Sequence, residues 1–417
     1  MKTPLDVRKD FPIFSQHAES KSLVYLDSAA TSQKPQAVLD AIVEYYTTSN
    51  ANIHRGVHRL AEQSTTVWEE SRKTIAHFFG ADADELIMVR NATEAINGVA
   101  YGWADHHLKA GDTIVTSLME HHSNFVVWQE VAKRTGCSLA VVGVTDDGRL
   151  DVADLERKLQ LSNVKLVALV HVSNTLGTLL PLVKVQKLIA KYAPTARVLL
   201  DGAQSAPHLP IDFHQLGVDF FAFSGHKMYG PMGSGGLLVR KELLTSEEMQ
   251  PWYFGGGMIG EVRIGETSFA ESLSDRFTPG TPDVASAVGL AAACDYLLGI
   301  GMSLVADTDR ELTEYAIEKL SQVPQVRLIG PTNFADTFDR VGSVTFIYDG
   351  VHAHDVAQIL DSEGVAVRSG HHCTMPLHEH FGWAATVRAS FGIYNSTEDI
   401  NRLVTALAKV RQVFHHD

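Results

Sequence analysis

Cysteine is scarce in this chain, with three among 417 residues: Cys137, Cys294 and Cys373. Three widely spaced thiols cannot form the disulfide framework of a small secreted domain, so a reducing, cytoplasmic setting is expected. No apolar run approaches the ~20 residues that a membrane-spanning helix needs. The first residues, MKTPLDVRKDFPIF, lack an apolar core, so no secretory signal is expected. No basic block offsets the net charge of −14, which argues against a nucleic-acid or anionic-membrane surface. Repeats, low-complexity tracts and obvious flexible linkers are also missing. What is present is ordinary for a soluble globular enzyme: 45% apolar and 20% charged residues, in a chain long enough for two to three domains.

Short apolar runs alternate with longer amphipathic stretches. The strand candidates are ELIMVR (85–90), DTIVTSL (112–118), SLAVVGV (138–144), KLVALVHV (165–172), RVLLD (197–201), DFFAFS (219–224) and GGLLVR (235–240). Helical patterns at 93–108, 124–136 and 183–193 separate several of them. This alternation predicts an α/β fold with a mainly parallel, seven-stranded sheet. The segment 266–283 is polar and turn-rich and is expected to be an extended loop. A helical stretch at 284–301 follows, then strand and helix signals of a smaller α+β domain. The expected division is a large domain over 21–289 and a small one over 290–417, with segment 1–20 packed on the latter.

In open α/β sheets ligands gather at the carboxyl ends of the strands, and those ends here are chemically unusual. Thr93 stands where a helix starts, a position that suits an anion. His121 follows the second strand, where an imidazole could stack on a flat ring and handle protons near neutral pH. Asn174 follows the fourth and offers a neutral hydrogen-bonding group. RVLLD ends in Asp201, with Gln204 beyond it. DFFAFS runs into Ser224, His226 and Lys227. An amine and a carboxylate at the ends of buried strands can together bind pyridoxal phosphate: the aldehyde needs an amine for a Schiff base, and the pyridine nitrogen needs an anion to stay protonated.

The motifs LDSAATSQKP, NIHRGVHRLAEQ, ATEAIN, EHHSN, VSNTLGT, DGAQSAPH, SGHKMYGPMGSGGL, PGTP, RSGHHC and VRASFGIYN run in order from about 26 to 395. Together they resemble the class V aminotransferase family, and within it the SufS-like, group II cysteine desulfurases. That resemblance implies fold-type I architecture and a role for each matching residue. Lys227 would bond the cofactor aldehyde. Asp201 would pair with the pyridinium nitrogen, Gln204 contact the phenolic oxygen, and His121 stack on the ring. Thr93, Ser224 and His226 would hold the phosphate. Thr281 would reach it from the other subunit of a homodimer. Asn174 and Arg388 would clamp the substrate carboxylate, where the planar guanidinium fork matches a carboxylate better than lysine does. The resemblance also places NIHRGVHRL, with His54, Arg55 and His58, over the substrate entrance, although from sequence the segment could equally cap the following helix.

Pyridoxal phosphate alone leaves the reaction open, since transaminases, lyases and desulfurases share removal of the Cα proton. Cys373, in VAVRSGHHCTMPLHEH, narrows it. A thiolate there could attack the sulfur of bound cysteine, giving a persulfide on Cys373 and alanine. Arg368, His371 and His372 would favour the thiolate. His371, His372, Cys373, His378 and His380 could instead suggest zinc, but Pro376 interrupts them and their spacing matches no common zinc pattern. The expected activity is cysteine desulfuration feeding iron–sulfur cluster assembly through a SufE-like or SufU-like acceptor. Selenocysteine lyase activity on the same site is the alternative. Thr374-Met375 replaces the Ala-Gln of many relatives after the cysteine.

Overall fold

Seven largely apolar runs satisfy their backbone by pairing with one another in one sheet, most of them buried. The computed structural model describes residues 7–16, 22–54, 56–334 and 338–414, so Arg55 and the C-terminal His415 and His416 lie outside the described residues. A short strand, β1 (Val24–Tyr25), comes first. The sheet is built from β2 (Leu86–Val89), β3 (Thr113–Ser117), β4 (Ser138–Val142), β5 (Val164–Val170), β6 (Arg197–Asp201), β7 (Phe220–Ser224) and β8 (Gly235–Val239). Their spatial order is β2-β8-β7-β6-β5-β3-β4. Only β8 runs antiparallel to its neighbours. All seven sequence-read strands are present, and the mainly parallel sheet agrees with expectation.

The expected helices are also present, with one refinement. The stretch 93–108 forms Ala92–Val99, then a wider π turn over Ala100–Ala104, then Asp105–His107. Asn91 caps the first of these by accepting a hydrogen bond from the Glu94 N–H at 3.0 Å. Gly235 lets that cap approach the sheet, because a Cβ there would lie 2.8 Å from the Asn91 Cα.

The loop expected over 266–283 is partly wrong. Strands β9 (Ile259–Arg263) and β10 (Glu266–Phe269) form an exposed antiparallel hairpin turning at Ile264-Gly265, with Gly265 at φ +90°. Neither face is buried, so the apolar alternation that reveals most strands is missing.

The C-terminal part carries an antiparallel sheet of β11 (Val326–Ile329), β12 (Ser343–Tyr348), β14 (Arg368–Gly370) and β15 (Thr386–Ser390), in the order β11-β12-β15-β14. The remaining strand, β13 (Val365–Ala366), pairs in parallel with β1. Helix Val284–Ile300 precedes this part, packs on the helices Gln36–Thr48 and Arg59–Phe78, and meets helix Met302–Ser321 at 78°. No single helix among the described residues is long and apolar enough to cross a membrane.

Candidate active site

The carboxyl ends of β2, β3, β5, β6 and β7 open on one cavity of about 220 Å³. Thr93, His121, Asn174, Asp201, Gln204, Ser224, His226, Lys227, Arg368, Cys373 and Arg388 all line it. Residues far apart in sequence thus converge because parallel strands deliver each following loop to the same edge.

On the floor, Asp201 is buried and accepts a hydrogen bond from the Ala203 N–H at 3.0 Å. Burial pushes its carboxyl above the ordinary value, while the Lys227 charge opposes that shift. Burial lowers the Lys227 ammonium to about 8; Asp201 and Cys373 pull it upward and Arg388 and Arg368 downward. A useful fraction of free amine is therefore present just above neutrality. At the phosphate-like end, Ser224 Oγ accepts from the Ala92 N–H at 2.9 Å. Thr93 and Ser123 hydroxyls are 2.6 Å apart, and His121 Nδ1 accepts from the Ser123 N–H at 3.1 Å. Burial, then the charge of Lys227, lowers His121 to about 3, which favours the uncharged imidazole near neutral pH. Gln204 is fixed by donating from Nε2 to the Ala29 carbonyl at 2.9 Å.

The roof comes from the C-terminal part. Arg388, on β15, donates to the Asn174 carbonyl at 2.8 Å and to Asp27 at 3.1 Å. Asn174 in turn donates to the His372 carbonyl at 2.7 Å. His122 N–H donates to the Cys373 carbonyl at 2.8 Å, and His122 Nε2 accepts from the Met375 N–H at 3.1 Å. His372 and Cys373 have φ of 50° and 59°, a left-handed backbone that costs non-glycine residues of order 1–3 kcal/mol each. These anchors hold that conformation. Thr374 adds another, bonding Thr175 at 2.9 Å and the His371 carbonyl at 2.8 Å.

His372 does not support a thiolate as expected. It is buried, with Nε2 2.9 Å from Thr386 Oγ1, and burial together with Arg388 lowers its pKa to about 2. A neutral imidazole adds no cationic field. Arg368, Arg388 and Lys227, all lining the cavity, place cationic groups beside Cys373. His378 also bonds Thr386, at 3.1 Å, and Thr374.

Thr281 and His54 lie elsewhere. Both line a second cavity of about 250 Å³ with Asn52 and Asp275, and Thr281 Oγ1 donates to Asn52 at 3.2 Å. His54 sits 3.9 Å from Glu69. Within one chain neither reaches the Lys227 cavity. Sequence reasoning missed Asp27 and Ser123; Ser123 was within reach, since it stands inside EHHSN beside His121.

Three buried polar atoms of residues lining this cavity have no hydrogen-bond partner: Asn174 Oδ1, His372 Nδ1 and Arg388 Nε. Buried polar groups are normally satisfied, so these point to a polar ligand. The donor set fits pyridoxal phosphate: a depressed amine, a buried carboxylate, and a helix start with hydroxyls for a phosphate.

Comparison with known proteins agrees with this chemistry. The family described as Aminotransferase class-V matches residues 24–403. The chain is 47% identical over 422 residues to the probable cysteine desulfurase 2 of Mycobacterium leprae, covering 99% of this chain and 98% of that protein. It is similar to the apo cysteine desulfurase structure from Thermococcus onnurineus NA1, with TM-score 0.91, 39% identity and 98% of each chain covered. It also resembles C-DES, solved with glycine covalently linked to its PLP cofactor, at TM-score 0.82 and 26% identity over 96% of this chain and 98% of that one.

Proposed function

The chain belongs to the aminotransferase class-V family, and from that membership and the cavity's chemistry we infer that it is a pyridoxal-phosphate-dependent cysteine desulfurase. The observation that carries the reading is Cys373 in one cavity with Lys227, Asp201 and Arg388. When bound, pyridoxal phosphate supplies an electron sink that acidifies the substrate Cα–H and loosens the Cβ–S bond. Lys227, with its depressed pKa, would hold the cofactor aldehyde and would carry the substrate Cα proton. Asp201 would keep the pyridine nitrogen protonated, Gln204 would contact the phenolic oxygen, and His121 would stack on the ring. Thr93, Ser224 and His226 take the phosphate, and Arg388 with Asn174 takes the substrate carboxylate.

Cys373 then attacks the substrate sulfur. The new S–S bond forms as the Cβ–S bond breaks, and protons go to Cα and Cβ of the product. L-cysteine and the Cys373 thiol thereby become L-alanine and a Cys373 persulfide, with no external oxidant. Arg368 favours the attacking thiolate. The names of the relatives favour cysteine over selenocysteine as substrate.

Separation of Thr281 and His54 from the cavity supports the homodimer reading, in which each serves the partner's site. The persulfide passes to a SufE-like or SufU-like acceptor for iron–sulfur assembly, in the cytoplasm. The working division is a cofactor domain over 21–289 and a small domain over 290–417. Contacts of Arg8 with Asp399 at 3.2 Å and with the Tyr394 carbonyl support an N-terminal segment packed on the latter. The test is alanine formation from cysteine in wild type and Cys373→Ala. Undiminished sulfur release in the variant would sink the persulfide role.

A further inference from the structure

The SGHK turn is gripped from a segment that contributes no charged group to the cavity. The His226 carbonyl, in the peptide unit that leads into Lys227, accepts from four donors. Lys34 Nζ lies 2.9 Å away, Ser32 N 3.0 Å, Ser32 Oγ 3.1 Å and Thr31 Oγ1 3.1 Å. A carbonyl oxygen has two lone pairs, so four donors within reach keep this one held from several sides at once. Lys34 also donates to the Ser32 carbonyl at 2.6 Å and tightens the 31–34 turn on itself. Ser32 Oγ reaches past the lysine to accept from the Tyr229 N–H at 2.9 Å, where φ is 68°. The grip therefore spans the chain on both sides of Lys227.

Lys34 is mostly withdrawn from solvent, and among the described residues no carboxylate lies within ion-pair distance of it. Burial lowers its ammonium to about 7, and the titratable group that feels its charge is the His226 imidazole. Retaining a lone buried lysine is costly, and a surface role does not explain it.

We propose that Lys34 is a positioning residue for the reaction: with Thr31 and Ser32 it locks the His226–Lys227 peptide plane and so aims the Lys227 amine into the cavity. A peptide unit is planar, so fixing its carbonyl fixes the Lys227 N–Cα bond, and the hold on the Tyr229 N–H beyond it limits the backbone torsions that direct the side chain. Lys34 is not among the residues that line the cavity. The proposal rests on Lys227 being the cofactor-bonding lysine.

The experiment compares holoenzymes of wild type, Lys34→Met, Thr31→Val and Lys227→Ala. Lys34→Met keeps the apolar stem and removes the donors. Expected is a fall in kcat of about 10- to 100-fold with KM for cysteine changed by less than about twofold, the signature of a misaimed reacting group. The pH midpoint of the visible absorbance of lysine-bound cofactor should shift, since Lys227 would meet Asp201, Cys373, Arg388 and Arg368 in altered geometry. Borohydride trapping followed by peptide mass spectrometry should show slower labelling of Lys227. Thr31→Val should move all three in the same direction by less, and it carries the test should Lys34→Met not fold. A wild-type midpoint and trapping rate in the folded variant overturns the proposal. Cofactor trapped on another residue in wild type, or normal trapping in Lys227→Ala, would instead overturn the assignment of Lys227.

Discussion

Glu120 ends the loop from β3, one residue before His121, and offers a prediction whose size follows from its surroundings. It is buried, with one oxygen 2.5 Å from Ser117 Oγ and the other accepting from Asn124 Nδ2 at 2.6 Å. Asn124 Oδ1 in turn accepts from the Trp128 indole Nε1–H at 2.9 Å. Burial, aided by the like charge of Asp201, raises Glu120 from 4.5 to about 8. The folded protein thus holds a proton that the unfolded chain releases. Stability from this group is complete below the unfolded value and is lost as pH climbs through the folded one. At about 1.4 kcal/mol per unit, the interval from 4.5 to about 8 costs roughly 5 kcal/mol, about 3 of it by pH 7. A glutamine amide reproduces the protonated carboxyl, donating to Ser117 and accepting from Asn124, without releasing a proton on unfolding. Glu120→Gln should therefore match wild type in urea unfolding near pH 5 and gain about 1 kcal/mol per unit as pH rises toward 8. A pH-independent difference, or a deficit growing with pH, would show that Glu120 is ionised in the fold and refute the reasoning.

Other outcomes follow from the same geometry. Arg388→Lys cannot reach both Asn174 and Asp27 while presenting a planar fork, so KM for cysteine should rise about tenfold or more in steady-state assays. Thr386→Val strips the shared partner of His372 and His378, and should lower stability by about 1–3 kcal/mol in thermal unfolding while increasing proteolysis near Cys373. Cys137→Ala should leave sulfur transfer intact, since that thiol is buried and its pKa is raised by desolvation.

The sheet was legible because parallel strands are buried on both faces and read as unbroken apolar runs, as in LVALV and RVLLD. The polar residues just beyond those runs then had to share one edge, which exposed most of the cavity. Other features depend on contacts that local pattern does not encode. Asp27 meets Arg388 across 361 positions, and Lys34 meets the His226 carbonyl across 192. The exposed β9–β10 hairpin lacks a buried face to shape its sequence. The neutral state of His372 follows from its burial beside Arg388, whereas in sequence it is only one more histidine before a cysteine.

The central claim is that sulfur leaves cysteine by way of Cys373. Its most direct test is to incubate the holoenzyme with cysteine and no acceptor, alkylate at once, and map extra sulfur by peptide mass spectrometry against alanine formed in the first turnover. The account predicts one additional sulfur atom on the Cys373 peptide for each alanine. Alanine without that sulfur, or with it on Cys137 or Cys294, would contradict it.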